Sequence, residues 1–311
     1  MNLPHVHLLL NHFPTIGFSI GLGLFLVALA AKSDDLKRAS LGVFFVMALL
    51  TIATYVSGNA AAEAIKGRPG FSDALIGSHE SAALLAYLFM EITGFLAWLG
   101  LWQFRQISRL PGWNMAAVLI LSIVTFGLMA NAANIGGEIR HPEIQSPQET
   151  AADGAGGPTM AKSIGEFVTG HTWVWPACET LHFVGLCLLF TVVLLVDLRI
   201  LGMAKKLSFA SLYQLLPWGM LGFGINLVTG TMFFIGTPGQ YTNNIAFYWK
   251  VAFIMLAGMN ALYFMFFDET WAVGPGADAP LSAKFVAAST IFLWLGVLFF
   301  GHMLPFIGNS F

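Results

Sequence analysis

The chain has 311 residues, of which 57% are apolar and only 10% are charged. Soluble domains carry about 25% charged and about 45–50% apolar residues, so a water-soluble globular protein is excluded. A net charge of −2 leaves no basic face, which excludes a nucleic-acid partner.

Apolar runs long enough to cross a bilayer, about 20 residues each, lie at roughly 13–31, 40–61, 80–103, 114–137, 174–200, 212–236, 244–268 and 282–304. Backbone polar groups in lipid must be satisfied within the segment, so each run is predicted to be a helix. The fold class expected is an all-α polytopic membrane protein, eight transmembrane helices arranged as two four-helix bundles. The first run lacks a basic n-region and a small-residue cleavage site and is expected to be a retained helix. His5, His7 and His12 surround its start, and the second run ends near Ser57-Gly58. His79 opens the third, and Glu91 lies about 18 Å further along it, near the bilayer centre. The fourth closes in GGEIRHPE, which contains His141. Residues 138–172, with the run ADGAGGPT, read as a long flexible loop.

The fifth run holds Glu179 and His182, with His171 just before it, and also Cys178 and Cys187. The two cysteines are separated by roughly 13 Å of helix, too far for a disulfide. No CxxCH occurs, which excludes covalent c-type haem. The sixth run ends near Thr229-Gly230, Lys250 stands near the start of the seventh, and His302-Met303 closes the eighth. Lys250 reads as snorkelling outward. The expected organisation is a first bundle at 1–141, a periplasmic loop at 142–173 and a second bundle at 174–311. His12-Phe13 against His182-Phe183, and Ser57-Gly58 against Thr229-Gly230, suggest a parallel four-plus-four repeat.

Basic residues concentrate in one set of loops, with Lys37, Arg38, Arg105, Arg109, Arg199, Lys205 and Lys206 among them. The positive-inside rule places that set in the cytoplasm and both termini in the periplasm of a bacterial inner membrane. All eight histidines then fall in the outer half. His5 and His171 read as interfacial. His12, His79, His182 and His302 lie in or at the ends of apolar helices, where ionisable groups face the bundle interior. Two imidazoles on facing helices can clamp a haem. The expected metal and cofactor ligands are His12 with His79 and His182 with His302, with His141 a further cofactor contact. Glu91 is the expected catalytic residue, exchanging protons or touching quinone, and Glu179 is expected to support His182. Gly17, Gly58, Gly94, Gly136, Gly185, Gly230, Gly258 and Gly301 are expected to give a macrocycle room. No Walker loop, HExxH or GxSxG is present, so nucleotide-driven and hydrolytic readings have no residues to rest on.

HVHLLLNHFPTIG, a helix ending in SG, SHESAALLAY and NIGGEIRH together resemble a bacterial four-helix membrane-domain family of unknown function, over about residues 5–141. Its members have an HFP start and a GG-x-x-x-H-like end, and some are joined to or encoded beside c-type cytochrome modules. The resemblance carries over to His12, His79 and His141. ETLHFVG, LLVDLRILG, LLPW and a late TG over 174–304 resemble a second uncharacterised bacterial four-helix membrane family, with the match resting on His182 and Thr229-Gly230. In that family the last helix tends to carry a basic residue where His302 stands. The cytochrome association implies electron transfer. The function expected is a b-type cytochrome-like subunit with one or two haem b, moving electrons between the quinone pool and a periplasmic redox protein such as a c-type cytochrome or dehydrogenase. Membrane lipid and other membrane subunits are further expected partners. The alternatives are a non-catalytic anchor or assembly subunit, a transporter or channel using Glu91, and a copper or zinc site that includes Met303.

Overall fold

In the computed structural model, which describes residues 3–140, 159–203, 205–267, 271, 273, 274 and 276–307, every regular element is a helix. They are α1 (Leu3–Leu10), α2 (His12–Ala30), α3 (Asp34–Ile65), α4 (Asp73–Ile107), α5 (Gly112–Arg140), α6 (Met160–Gly170), α7 (Val174–Ile200), α8 (Phe209–Tyr213), α9 (Leu216–Gly236), α10 (Pro238–Thr242), α11 (Ile245–Phe266) and α12 (Leu281–Met303). Eight spans among the described residues are long and apolar enough to cross a membrane, α1 and α2 together forming the first and the end of α8 joining α9 in the sixth. The protein is an all-α multi-pass membrane protein. Its large apolar side chains point outward along most spans, Ile20, Ile120 and Phe292 among them, as helices in lipid require.

Local chemistry sets the helix ends. α1 stops at Leu10 because Pro14, in the first turn of α2, has no N–H for the Leu10 carbonyl and its ring crowds that oxygen. α3 and α4 begin before their apolar runs because Ser33 and Ser72 cap them, accepting from the backbone N–H of Leu36 (3.4 Å) and Leu75 (3.2 Å). Asp34 and Asp35 add negative charge at the start of α3.

The chain divides into two compact units, Met1–Ile164 and Gly165–Phe311. In the first, α2 packs on α3, α3 on α4, α4 on α5, and α5 returns to α2, while α1 lies on α3. Phe44 of α3 fills the space between Phe18 and Phe25 of α2, at ring separations of 4.8 and 5.9 Å. Gly94 of α4 admits Ala48 of α3, and Thr93 and Thr125 share a buried hydrogen bond of 3.1 Å between α4 and α5.

In the second unit α7 pairs with α9, α11 pairs with α12, and α12 packs on α7. The α7–α9 backbones meet at Gly185 and Gly222, small residues that allow the close approach helix pairing in lipid depends on. Asn260 joins α11 to α12 through Ser289 (2.9 Å) and Thr290 (3.0 Å). At the other end of α7, fully buried Arg199 donates to the carbonyls of Leu207, Gly274 and Ala277 and lies 4.3 Å over the Phe209 ring. Outside the spans, Asp278 is met by Lys205 at 3.0 Å and by Lys284, from the first turn of α12, at 3.4 Å, which hold its carboxyl below the usual range.

The stretch 138–172, read from sequence as one loop, is helical at both ends of its described part. α5 runs on through Arg140, and α6 forms over Met160–Gly170. The second half of α6 is held because Gly165 lets it approach the Ile235 carbonyl and Val168 covers Gly236.

A valine at Gly222 would be driven into the Gly185 carbonyl and the Leu189 amide, which an ideal Cβ meets at 2.5 and 2.7 Å. Gly222→Val is expected to lower stability by about 1–3 kcal/mol, whereas Gly23→Ala, at a position with no neighbour within 4 Å, leaves it unchanged. Thermal unfolding of the purified protein in detergent, followed by circular dichroism, measures both.

Candidate functional site

Four times in the chain, a polar side chain early in one helix lies against a glycine late in the next helix of the same hairpin. A Cβ at Gly58 would meet His7 Cε1 at 3.0 Å, and one at Gly136 would meet His79 Cε1 at 2.9 Å. One at Gly230 would meet His182 Cε1 at 3.7 Å, and one at Gly301 would meet Lys250 Cε and Nζ at 3.6 Å. The helix-helix pairs are α1–α3, α4–α5, α7–α9 and α11–α12. Seven of the eight glycines expected to make room for a macrocycle are thus met by protein: Gly58, Gly136, Gly230 and Gly301 as above, Gly17 by Met47, Gly94 by Ala48 and Gly185 by Asn226 and Ile225.

The imidazoles are anchored in a common way. His7 Nδ1 lies 3.2 Å from the Thr54 carbonyl, with Ser57 Oγ at 3.5 Å, and His79 Nδ1 lies 2.9 Å from the Ala132 carbonyl. A carbonyl only accepts, so in both rings Nδ1 carries the proton and donates. His182 Nδ1 lies 2.8 Å from Thr229 Oγ1. That hydroxyl already donates to the Ile225 carbonyl at 2.7 Å, so it accepts from His182 and the same tautomer follows. In all three rings Nε2 keeps its lone pair and has no hydrogen-bond partner among the described residues. His7 and His79 belong to the first unit, and His182 and Lys250 to the second.

The other expected site residues stand differently. His12 is exposed, so the histidine of the first span that turns onto α3 is His7. His302 is exposed beside Phe306, at a ring separation of 5.6 Å, and the group seated at the end of α12 is Lys250, which sequence reading had set aside. Glu179 is exposed, and Thr229 takes the supporting role expected of it. His5 and His171 are exposed, with His171 Nδ1 turned back on the Phe167 carbonyl at 3.0 Å. His141 lies outside the described residues. Glu91 is only 9% exposed on α4, and its Oε1 has no partner among the described residues. Among those residues, no three His, Cys, Asp or Glu side chains gather as a metal cage. The glycine late in each even-numbered span was the available signal for Lys250 and His7.

No protein-family model, curated protein or solved structure matches the chain.

If the glycine seats set the tautomer, Gly136→Val will push His79 off the Ala132 carbonyl. Nitrogen-15 NMR of the labelled protein is expected to show the Nδ1–H form for His79 in the wild type and a mixture of tautomers in Gly136→Val. An Nε2–H form in the wild type would contradict the anchoring described above.

Proposed function

We propose that the protein is a b-type cytochrome-like subunit of the bacterial cytoplasmic membrane, moving electrons between the quinone pool and a periplasmic redox partner. The observation that carries this reading is the pair of half-buried imidazoles in the first unit. His7 and His79 stand on different helices of this unit, each pinned through Nδ1–H to a helix carbonyl with Nε2 free. Two such imidazoles are the donor set of a bis-histidine haem b site. Haem, when bound, would supply the reversible one-electron chemistry. The chain's own part is to hold both rings in the ligating tautomer, to raise their basicity through the Nδ1–H bonds and to keep the surroundings apolar. Glu91, deeper along α4 and without a partner, is the proton-exchanging group of this unit. The second unit has one anchored imidazole and an exposed His302, so a single haem in the first unit is the stoichiometry that fits.

The bias of basic loops orients the histidine ends and both termini toward the periplasm. A c-type cytochrome or dehydrogenase would dock there, on the side that carries α6. A tag at either terminus is then expected to react with membrane-impermeant reagents in intact spheroplasts, and protection of both tags would reverse the orientation.

The reduced, pyridine-treated protein purified with full haem supply is expected to show one b-type haem per chain. His7→Ala and His79→Ala lose it, while His12→Ala and His302→Ala keep it. Absence of an α-band in the wild type would overturn the reading, and loss in His12→Ala with retention in His7→Ala would overturn the ligand assignment.

A further inference from the structure

The second unit repeats the seat of the first but changes one occupant. His182 is fixed by Thr229 with only the Nε2 lone pair left to offer, which makes it an acceptor. Lys250 offers three N–H donors and no acceptor while charged. Its aliphatic stem and ammonium lie along α12, with Cδ, Cε and Nζ at 3.6–3.8 Å from a Cβ placed on Gly301, instead of extending away from the unit. No hydrogen bond or ion pair engages that ammonium among the described residues, although it is half-buried. Two turns further along their helices, Leu189 of α7 and Ala257 of α11 meet Val297 of α12 in one buried cluster, so the two groups occupy the same end of the unit. Phe233 lies 5.7 Å from the His182 ring and packs on Trp175 at 4.8 Å, an aromatic wall beside the imidazole.

A ligand that satisfies both groups must donate a proton to Nε2 and present an oxygen acceptor to the ammonium, across an apolar body suited to aromatic walls. An ionised carboxylate or a lipid phosphodiester has acceptors only, so it meets Lys250 and leaves His182 unsatisfied. An aromatic ring with a hydroxyl on one side and an oxygen acceptor on the other meets both. We propose that the His182–Lys250 end of the second unit binds the head of a lipid-soluble hydroquinone, one hydroxyl donating to His182 Nε2 and the opposite oxygen accepting from Lys250. This names the quinone-side site within the electron-transfer reading, and it is a binding claim that holds or fails without haem.

The test is equilibrium binding of decyl-benzohydroquinone, kept reduced under anaerobic conditions, to the full chain in lipid nanodiscs, read by quenching of tryptophan fluorescence. Saturable binding is expected in the wild type. Lys250→Ala and His182→Phe are each expected to weaken it by about tenfold or more, since each removes one hydrogen bond, that of Lys250 to a charged group. His302→Ala binds as the wild type does. Far-UV circular dichroism and thermal midpoints show that the variants are folded, and Lys250→Arg keeps a donor at the seat if the alanine variant is not. Decanoate and phosphatidylglycerol serve as acceptor-only competitors and are expected to displace the probe weakly. Wild-type affinity in both Lys250→Ala and His182→Phe, no saturable binding in the wild type, or displacement by decanoate at the concentration of the hydroquinone itself would each overturn the proposal. Loss of hydroquinone binding with an unchanged haem spectrum in Lys250→Ala separates this site from the haem reading. Hydroquinone binding in protein that holds no haem leaves this proposal standing while the haem reading fails.

Discussion

An imidazole inside hydrocarbon needs a partner for its N–H, and the only abundant acceptors nearby are helix carbonyls already bonded within their own helix. Each such carbonyl keeps a second lone pair, but the side chain four residues later leans back over it. Remove that side chain and the oxygen becomes reachable. Gly58 stands four residues after Thr54, and Gly136 four residues after Ala132, the two carbonyls that His7 and His79 use. At Gly230 the arrangement differs, because His182 meets the Thr229 hydroxyl, which itself donates to the Ile225 carbonyl five residues before the glycine. The glycines therefore fix where a histidine sits, which ring nitrogen holds the proton and which is left for chemistry.

This constraint also explains what could be read from the chain. Eight spans followed from composition and run length, because lipid imposes helices on any apolar stretch of that size. Ser57-Gly58 and Thr229-Gly230 were visible as a repeated pair, yet their role as seats needed the partner helix. His7 and His12 differ by five residues, which turns them about 140° apart on a helix, so only one faces α3. Depth alone favoured His12, and only the packing of α1 on α3 selects His7. α6 was missed for a different reason. Its sequence, MAKSIGEFVTG, is short and interrupted by glycine, and its second half is held by contact with the end of α9 instead of by local propensity.

Polar residues inside the spans fall into two groups once their partners are counted. Arg199, Asn260, Thr93 and Thr125 are already satisfied, and their bonds join helices to each other or to the connections beyond them. Arg199 shows that a fully buried cation need not mark chemistry, since three carbonyls and an aromatic face account for it. The Nε2 atoms of His7, His79 and His182, the Lys250 ammonium and the Glu91 carboxyl keep unused capacity among the described residues. Function is read from this second group, because an unspent polar group in hydrocarbon is costly unless something else meets it.

The two units differ at one seat, and the difference decides what each can hold. In the first, both occupants present an electron pair, so the unit suits an electron-poor centre lying between two donors. In the second, one occupant presents an electron pair and the other presents only protons, so no single metal ion satisfies both while the lysine is charged. A polar organic head with a donor on one side and an acceptor on the other does. The same glycine geometry, applied to an imidazole in three hairpins and to an ammonium in the fourth, thus leaves two different sets of unspent polar groups from one structural device.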